Sequence, residues 1–289
     1  MITSAKVAAA VIVHLPESRM ANPRQLSRQI VKDLWGHRYL AWEMFRRDLV
    51  SQQRQSFFGL LFLLLPVLVT VGWAVLFREA KIINAGDVPM PYPFFVLLGM
   101  LIWSCFTEAI DAPISGLVSE RWLISKSNVS AEVVTLSKLL QVVFNLLVKA
   151  VVVAVAAACY GLPPKLTVLL APLALGFVIA LGAGIGLILA PINLLYRDVS
   201  RAVPVVMTFW FFLTPILFLT ADPGPVAFIM NQLNPMTPLL ATARDLAFGG
   251  IDAPSFGFVA MAAASLLVLF GGLMFSRIAT PIVIDRANA

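Results

Sequence analysis

Charge is scarce in this chain. Only 12% of its 289 residues are Asp, Glu, Lys or Arg, against roughly 25% in soluble globular domains, which is too little polar surface to coat a water-soluble globule. Histidine is nearly missing as well. His14 and His37 both precede the first long apolar run, so no triad, metal site or haem pair can be assembled from imidazoles within a membrane domain. The two cysteines, Cys105 and Cys159, lie in apolar runs without metal-ligand spacing; they read as small packing residues and leave the redox compartment open. No G-x-x-x-x-G-K-[ST] phosphate loop occurs, and the glycines at 182, 184 and 186 sit mid-run where a nucleotide has no access. The chain is therefore not expected to be an enzyme or to hydrolyse ATP by itself. A cleavable leader is not expected either. The apolar stretch from Val7 to Val13 is short and runs into His14, Pro16, Glu17 and Arg19, so the first span is expected to serve as the insertion signal.

What the chain has in quantity is hydrocarbon. Its residues are 60% hydrophobic with a mean hydropathy of +0.91, and the apolar residues collect in six long runs. About 20 apolar residues carry an α-helix across roughly 30 Å of bilayer hydrocarbon. The runs predict spans at Phe57 to Phe77, Tyr92 to Ala112, Val133 to Tyr160, Leu166 to Leu189, Ala202 to Thr220 and Pro254 to Phe275. An even number of crossings puts both termini on one side. Fifteen Lys and Arg fall before the first span, in the second-third and fourth-fifth loops and after the last span, against four (Arg78, Lys81, Lys165, Arg244) in the other loops. The positive-inside rule thus turns both termini to the cytoplasm. The expected fold is an all-α integral membrane domain, with residues 1–33 a cytoplasmic tail, 34–56 an interfacial amphipathic helix, 57–275 six transmembrane helices and 276–289 a second cytoplasmic tail. The isoelectric point near 9.6 reflects basic residues beside spans, where attraction to membrane lipids accounts for them, and no nucleic-acid partner is expected.

Local patterns refine this outline. Trp35, Tyr39, Trp42, Phe45 and Leu49 recur at helical intervals while Arg38, Arg46, Arg47 and Arg54 project elsewhere, which describes a helix lying in the headgroup plane, aromatic side down. It serves as an anchor or as a docking point for a cytoplasmic partner, and Glu43 and Arg47 are spaced for an i,i+4 pair. Pro66, Pro172 and Pro215 predict kinks within spans, and Gly176, Gly182, Gly184 and Gly186 predict close helix packing in span four. From Ala221 to Asp252 the chain is moderately apolar but broken by Pro223, Pro225, Pro235 and Pro238, which predicts two short helices re-entering the outer leaflet. Glu108 and Asp111 in span two are expected to meet Arg46 or Arg47, and Lys149 in span three to snorkel outward, with proton relay as the competing role. Trp73, Phe77, Phe209, Trp210, Phe212 and Phe218 form either an interfacial belt and packing or aromatic faces on which a sugar polymer slides.

Taken in order, short motifs resemble those of the permease subunit of type-2 ABC exporters, the branch exporting O-antigen, capsule and teichoic-acid polysaccharides. Phe45-Arg46-Arg47-Asp48 with Arg54-Gln55-Ser56, Gly59 and Pro66 is similar to the family's opening helix and first span. Pro89-Met90-Pro91-Tyr92-Pro93-Phe94 with Gly99 and Trp103 is similar to its second span. Leu123-Ile124-Ser125-Lys126 matches its coupling loop, Tyr196-Arg197-Asp198-Val199 its fourth-fifth loop, and Asn234-Pro235, Pro238 and Arg244 its segment before the last span. The chain departs at Ser127-Asn128-Val129-Ser130, where the family often has an aromatic-Pro pair. The resemblance implies a homodimer joined to two copies of a separate ABC ATPase, which would bind ATP and Mg while this chain binds no cofactor or metal. It also implies a bacterial plasma (inner) membrane location, a lipid-linked polysaccharide cargo and a place in lipopolysaccharide biosynthesis. Arg46, Arg47, Arg121, Lys126, Arg197 and Asp198 are then expected to couple to the ATPase. The aromatic residues above would line the pathway, with Asn234, Pro235, Pro238 and Arg244 in a re-entrant gate. Three other readings stay open: a permease for a lipid, drug or other small hydrophobic cargo, an integral-membrane glycan transferase, and a proton-driven carrier using Glu108 and Asp111.

Overall fold

In hydrocarbon a backbone must satisfy its own N–H and C=O groups, so apolar runs of this length fold as helices. The computed structural model describes residues 23–55, 59–81, 88, 90–127, 129–163, 165–218, 228–249 and 255–288. The expectations for residues 1–22, Ser56, Phe57, Pro89, Asn128, Thr220, Ala221, Pro223, Pro225, Asp252 and Pro254 lie outside them. The described α-helices are α1 (Pro23–Gly36), α2 (Arg38–Gln55), α3 (Gly59–Glu79), α4 (Tyr92–Ser119), α5 (Arg121–Ser127), α6 (Ala131–Cys159), α7 (Ala171–Leu195), α8 (Asp198–Phe212), α9 (Met236–Arg244) and α10 (Phe256–Asn288). Among the described residues, five helical segments are long and apolar enough to cross a membrane: Phe62–Glu79, Tyr92–Ser119, Ala131–Cys159, Leu166–Leu195 and Phe256–Ile284.

Helix α4 is the hub. Phe94, Phe95, Phe106, Ile110, Ile114 and Leu117 are all fully buried along it, with α6 and α7 packed against it and α10 against the far side of α7. Glycine makes these approaches close. A Cβ on Gly182 would lie 2.7 Å from the Phe106 carbonyl oxygen, and one on Gly186 would overlap that of Ile110. A Cβ on Gly184 would lie 2.6 Å from Leu269 N of α10, and one on Gly272 2.5 Å from the Gly184 oxygen. Three of the four span-four glycines thus seat backbone against backbone. Gly176 faces open space.

Several expectations need correction. The fifth span was expected from Ala202 to Thr220, but α8 stops at Phe212. Its 15 residues rise only about 22 Å, short of the roughly 30 Å hydrocarbon core. Pro215 is the cause: it has no N–H for the Phe211 carbonyl and disfavours helix at Thr214. Leu213 and Thr214 instead bond back three residues, to Trp210 and Phe211, each at 3.1 Å. Pro172 does not kink α7 either. It sits in the first turn, where a missing N–H costs nothing. The described part of the segment expected as two short helices holds a π-helix at Ile229–Leu233 and, after Asn234 and Pro235, α9 continuing into a second π-helix at Asp245–Gly249. The regions expected as tails are partly helical. Helix begins at Pro23, breaks at His37 and resumes as α2, while α10 runs on to Asn288.

Candidate functional site

The first polar cluster lies where α2 meets the α4-α5 corner. Arg47 donates to Asp48 at 2.8 Å and also to Glu120, the residue between α4 and α5. Asp48 in turn accepts from Lys138 of α6 at 2.7 Å. Burial pulls the Asp48 carboxyl upward, but the Lys138 and Arg47 hydrogen bonds and charges pull harder the other way, leaving it below the usual carboxylate range. In place of the expected Glu43 partner, Arg47 pairs with its neighbour Asp48 and with the distant Glu120. The aromatic stripe also divides. Phe45 is buried, 6.3 Å from the Phe144 ring, while Trp35, Tyr39 and Trp42 stay exposed and Arg38 lies over Trp35 at 4.6 Å.

Of the residues expected to couple, Arg47 reaches the base of α5, whereas Arg46, Lys126, Arg197 and Asp198 are exposed and Arg121 is half-buried. Asp198 meets Arg201 at 3.7 Å, a fully exposed pair of the kind that contributes little. The buried Asn193 secures this corner by accepting from Ser200 N at 2.9 Å, which ties the end of α7 to the first turn of α8. Sequence reasoning missed Trp122, 70% exposed on α5 between Arg121 and Leu123. Its signal was visible as an aromatic residue inside the short basic loop.

The second cluster joins the broken end of α8 to the segment before α9. Asn234 saturates its amide: Oδ1 accepts from Trp210 Nε1 and Met236 N at 3.0 Å each, and Nδ2 donates to Leu213 O and Thr214 Oγ1 at 2.9 Å each. Arg244, only 4% exposed, sits with its guanidinium 3.7 Å over the Phe95 ring. It donates to the carbonyls of Pro215 and Ile216 at 3.4 Å each. The helix break thus frees carbonyls that the following segment bonds. Gly99 makes room, since a Cβ there would collide with the Arg244 guanidinium. Pro235 precedes α9 and Pro238 lies within it, half-buried.

The structure joins one expected pathway residue, Trp210, to the expected gate, and its ring also meets Phe106 edge-on at 5.4 Å. Phe209 and Phe212 point away from the chain at 68% and 63% exposure, Trp73 and Phe77 pair with each other at 5.7 Å, and Phe218 is half-buried. A third cluster lies between the membrane-length helices α4 and α6. Lys149 does not snorkel: it is 4% exposed, donates to Ser104 Oγ at 3.0 Å and pairs with Glu108, which also accepts from Asn145 at 2.9 Å. A partner across the helix interface outweighs the reach to the headgroups. Neither Glu108 nor the exposed Asp111 meets Arg46 or Arg47. Among the described residues no group of three His, Cys, Asp or Glu could hold a metal.

Comparison with known proteins follows the same outline. A family model described as "ABC-2 type transporter" matches residues 39–248, which take in all three clusters. The chain is similar to the O-antigen export system permease protein RfbA of Myxococcus xanthus, 27% identical over 245 residues covering 84% of this chain and 93% of that protein. It is also similar to two proteins of the same name from Klebsiella pneumoniae. One is 24% identical over 236 residues, covering 80% of this chain and 89% of the relative, and the other 26% over 208 residues, covering 71% and 78%.

Proposed function

Since the chain belongs to the ABC-2 type transporter family and is therefore a multi-pass membrane transport subunit that works with an ABC ATPase, we propose that its cargo is a lipid-linked polysaccharide of the O-antigen kind. One observation carries the cargo: the O-antigen permeases align with this chain along 78–93% of their own length. In this reading two copies of the chain join two ATPase subunits in the bacterial plasma membrane, with both termini inside. Six crossings are made, the fifth by α8 together with the residues after its break, and α9 belongs to the outer gate. ATP and Mg stay on the ATPase.

Closure of the ATPase pair would press on α5, α2 and the start of α8 through Arg46, Arg47, Arg121, Lys126, Arg197 and Asp198. Such coupling requires contacts that differ between two conformations. Because Asn234 bonds both the Trp210 ring and the Leu213 carbonyl just past the end of α8, a push on α8 reaches the gate directly. The exposed Phe209 and Phe212, with Trp73 and Phe77, offer π-faces to sugar C–H surfaces. This grip has little specificity and suits a polymer that must slide.

The test is ATP turnover by the purified permease-ATPase complex in lipid. Undecaprenyl-linked glycan is expected to stimulate it and hydrophobic drugs are not; the reverse pattern would replace the polysaccharide by a small hydrophobic cargo. Reversing charge at Lys126 and Arg197 together is expected to abolish the stimulation while the complex still inserts, and unchanged stimulation would remove both residues from the coupling surface.

A further inference from the structure

Helix α6 carries Lys138, Gln141, Asn145 and Lys149 at intervals of three, four and four, which places them along one face. Each is bonded to a neighbouring helix. Lys138 donates to Asp48 at 2.7 Å and Gln141 to Gln52 at 2.6 Å, both on α2. Asn145 donates to Glu108 at 2.9 Å, and Lys149 to Ser104 at 3.0 Å, both on α4. These side-chain bonds climb about 16 Å of helix, from the α2 contact to the middle of an apolar span. At its inner end α6 adds Glu132, which accepts from Arg277 of α10 at 3.3 Å; Arg277 also donates to Asp33 of α1 at 2.5 Å.

The ladder is balanced in charge, with Lys138 against Asp48 and Lys149 against Glu108. Beside it on α6, Val143, Leu147 and Val151 are exposed apolar side chains, a surface made for lipid. Parting α2 from α6 would leave Lys138 and Gln141 without partners next to that surface, where an unpaired polar group is most costly. By contrast α3 meets α4 through apolar side chains and through Arg78, which lies 4.6 Å over the Tyr92 ring. Contacts of that kind exchange neighbours at little cost.

We propose that α2 is strapped to α6, the two moving as a single body through the transport cycle. Lys138, Gln141, Asn145 and Lys149 are positioning residues in this scheme. It rests on the ATPase-driven reading above. The test places Gln52→Cys and Gln141→Cys in a chain whose native thiols are removed by Cys105→Ala and Cys159→Ala. The pair is bridged with a short bis-methanethiosulfonate in the purified permease-ATPase complex. Turnover within about twofold of the unbridged protein is expected, whereas a reductant-reversible loss of about fivefold or more, the scale of a broken coupling, overturns the proposal. A complex idle before bridging counts against the ATPase-driven reading instead. Spin labels at Val50 and Leu147 give a readout independent of turnover. Their separation is expected to be the same in nucleotide-free and ATP-bound complexes, and a shift between the two overturns the strap.

Discussion

Single residues decide how closely the helices approach. Gly186 has no room for a side chain, because a Cβ would overlap the Ile110 carbonyl, while Gly176 has nothing within 4 Å. Gly186→Val is therefore expected to lower stability by about 1–3 kcal/mol, the usual cost of overpacking, and Gly176→Ala to leave it unchanged. Melting curves of the two purified variants give the check. Asp48 supplies a second case. Its carboxyl lies lower in the folded chain than the ordinary value near 3.9, so its contribution is complete above that value and is lost as pH falls through the depressed folded one. Docking of α2 on α6 should hold through the neutral range and loosen only in strong acid. Hydrogen exchange of the α2 amides against pH reads this directly, and Asp48→Asn is expected to raise exchange at pH 7 and remove its acid dependence.

Elements were legible where length alone decides. Tyr92 to Ala112 and Val133 to Tyr160 announced α4 and α6 because a continuous apolar run has one solution in lipid. Span five misled because apolarity continues past Pro215 while the helix does not. The partner of Lys149 was hidden for another reason: Glu108 lies 41 positions away, and a long side chain near a span end reads equally well as reaching for headgroups until the α4-α6 contact is known. Asn234 stood out as a motif residue, but nothing in the sequence reveals that its amide saturates the end of α8. At the scale of one helix, α5 presents Trp122 outward between two basic residues, Arg121 and Lys126. Trp122→Ala is expected to weaken capture of the ATPase subunit by about 2 kcal/mol, roughly thirtyfold, without altering membrane insertion. Titrated pull-down from solubilised membranes measures it, and equal capture would leave Trp122 outside the contact.

For the whole molecule, the distribution of Lys and Arg supports the proposal that both ends of the chain lie inside. Reporter fusions at Met1 and Ala289 are each expected to give the cytoplasmic signal, and an external signal from the carboxyl end would remove one crossing from the proposed six. The seam of α4, α7 and α10 has a mechanical consequence. Where Gly182, Gly184 and Gly186 lay one main chain on another, no rotamers remain to soften a load, and tightly packed matter compresses little. In the proposed cycle these three helices would serve as an anvil: a blow struck where α2 meets the α4-α5 corner would not be absorbed there but passed on, nearly undiminished, to whatever leans against the far end.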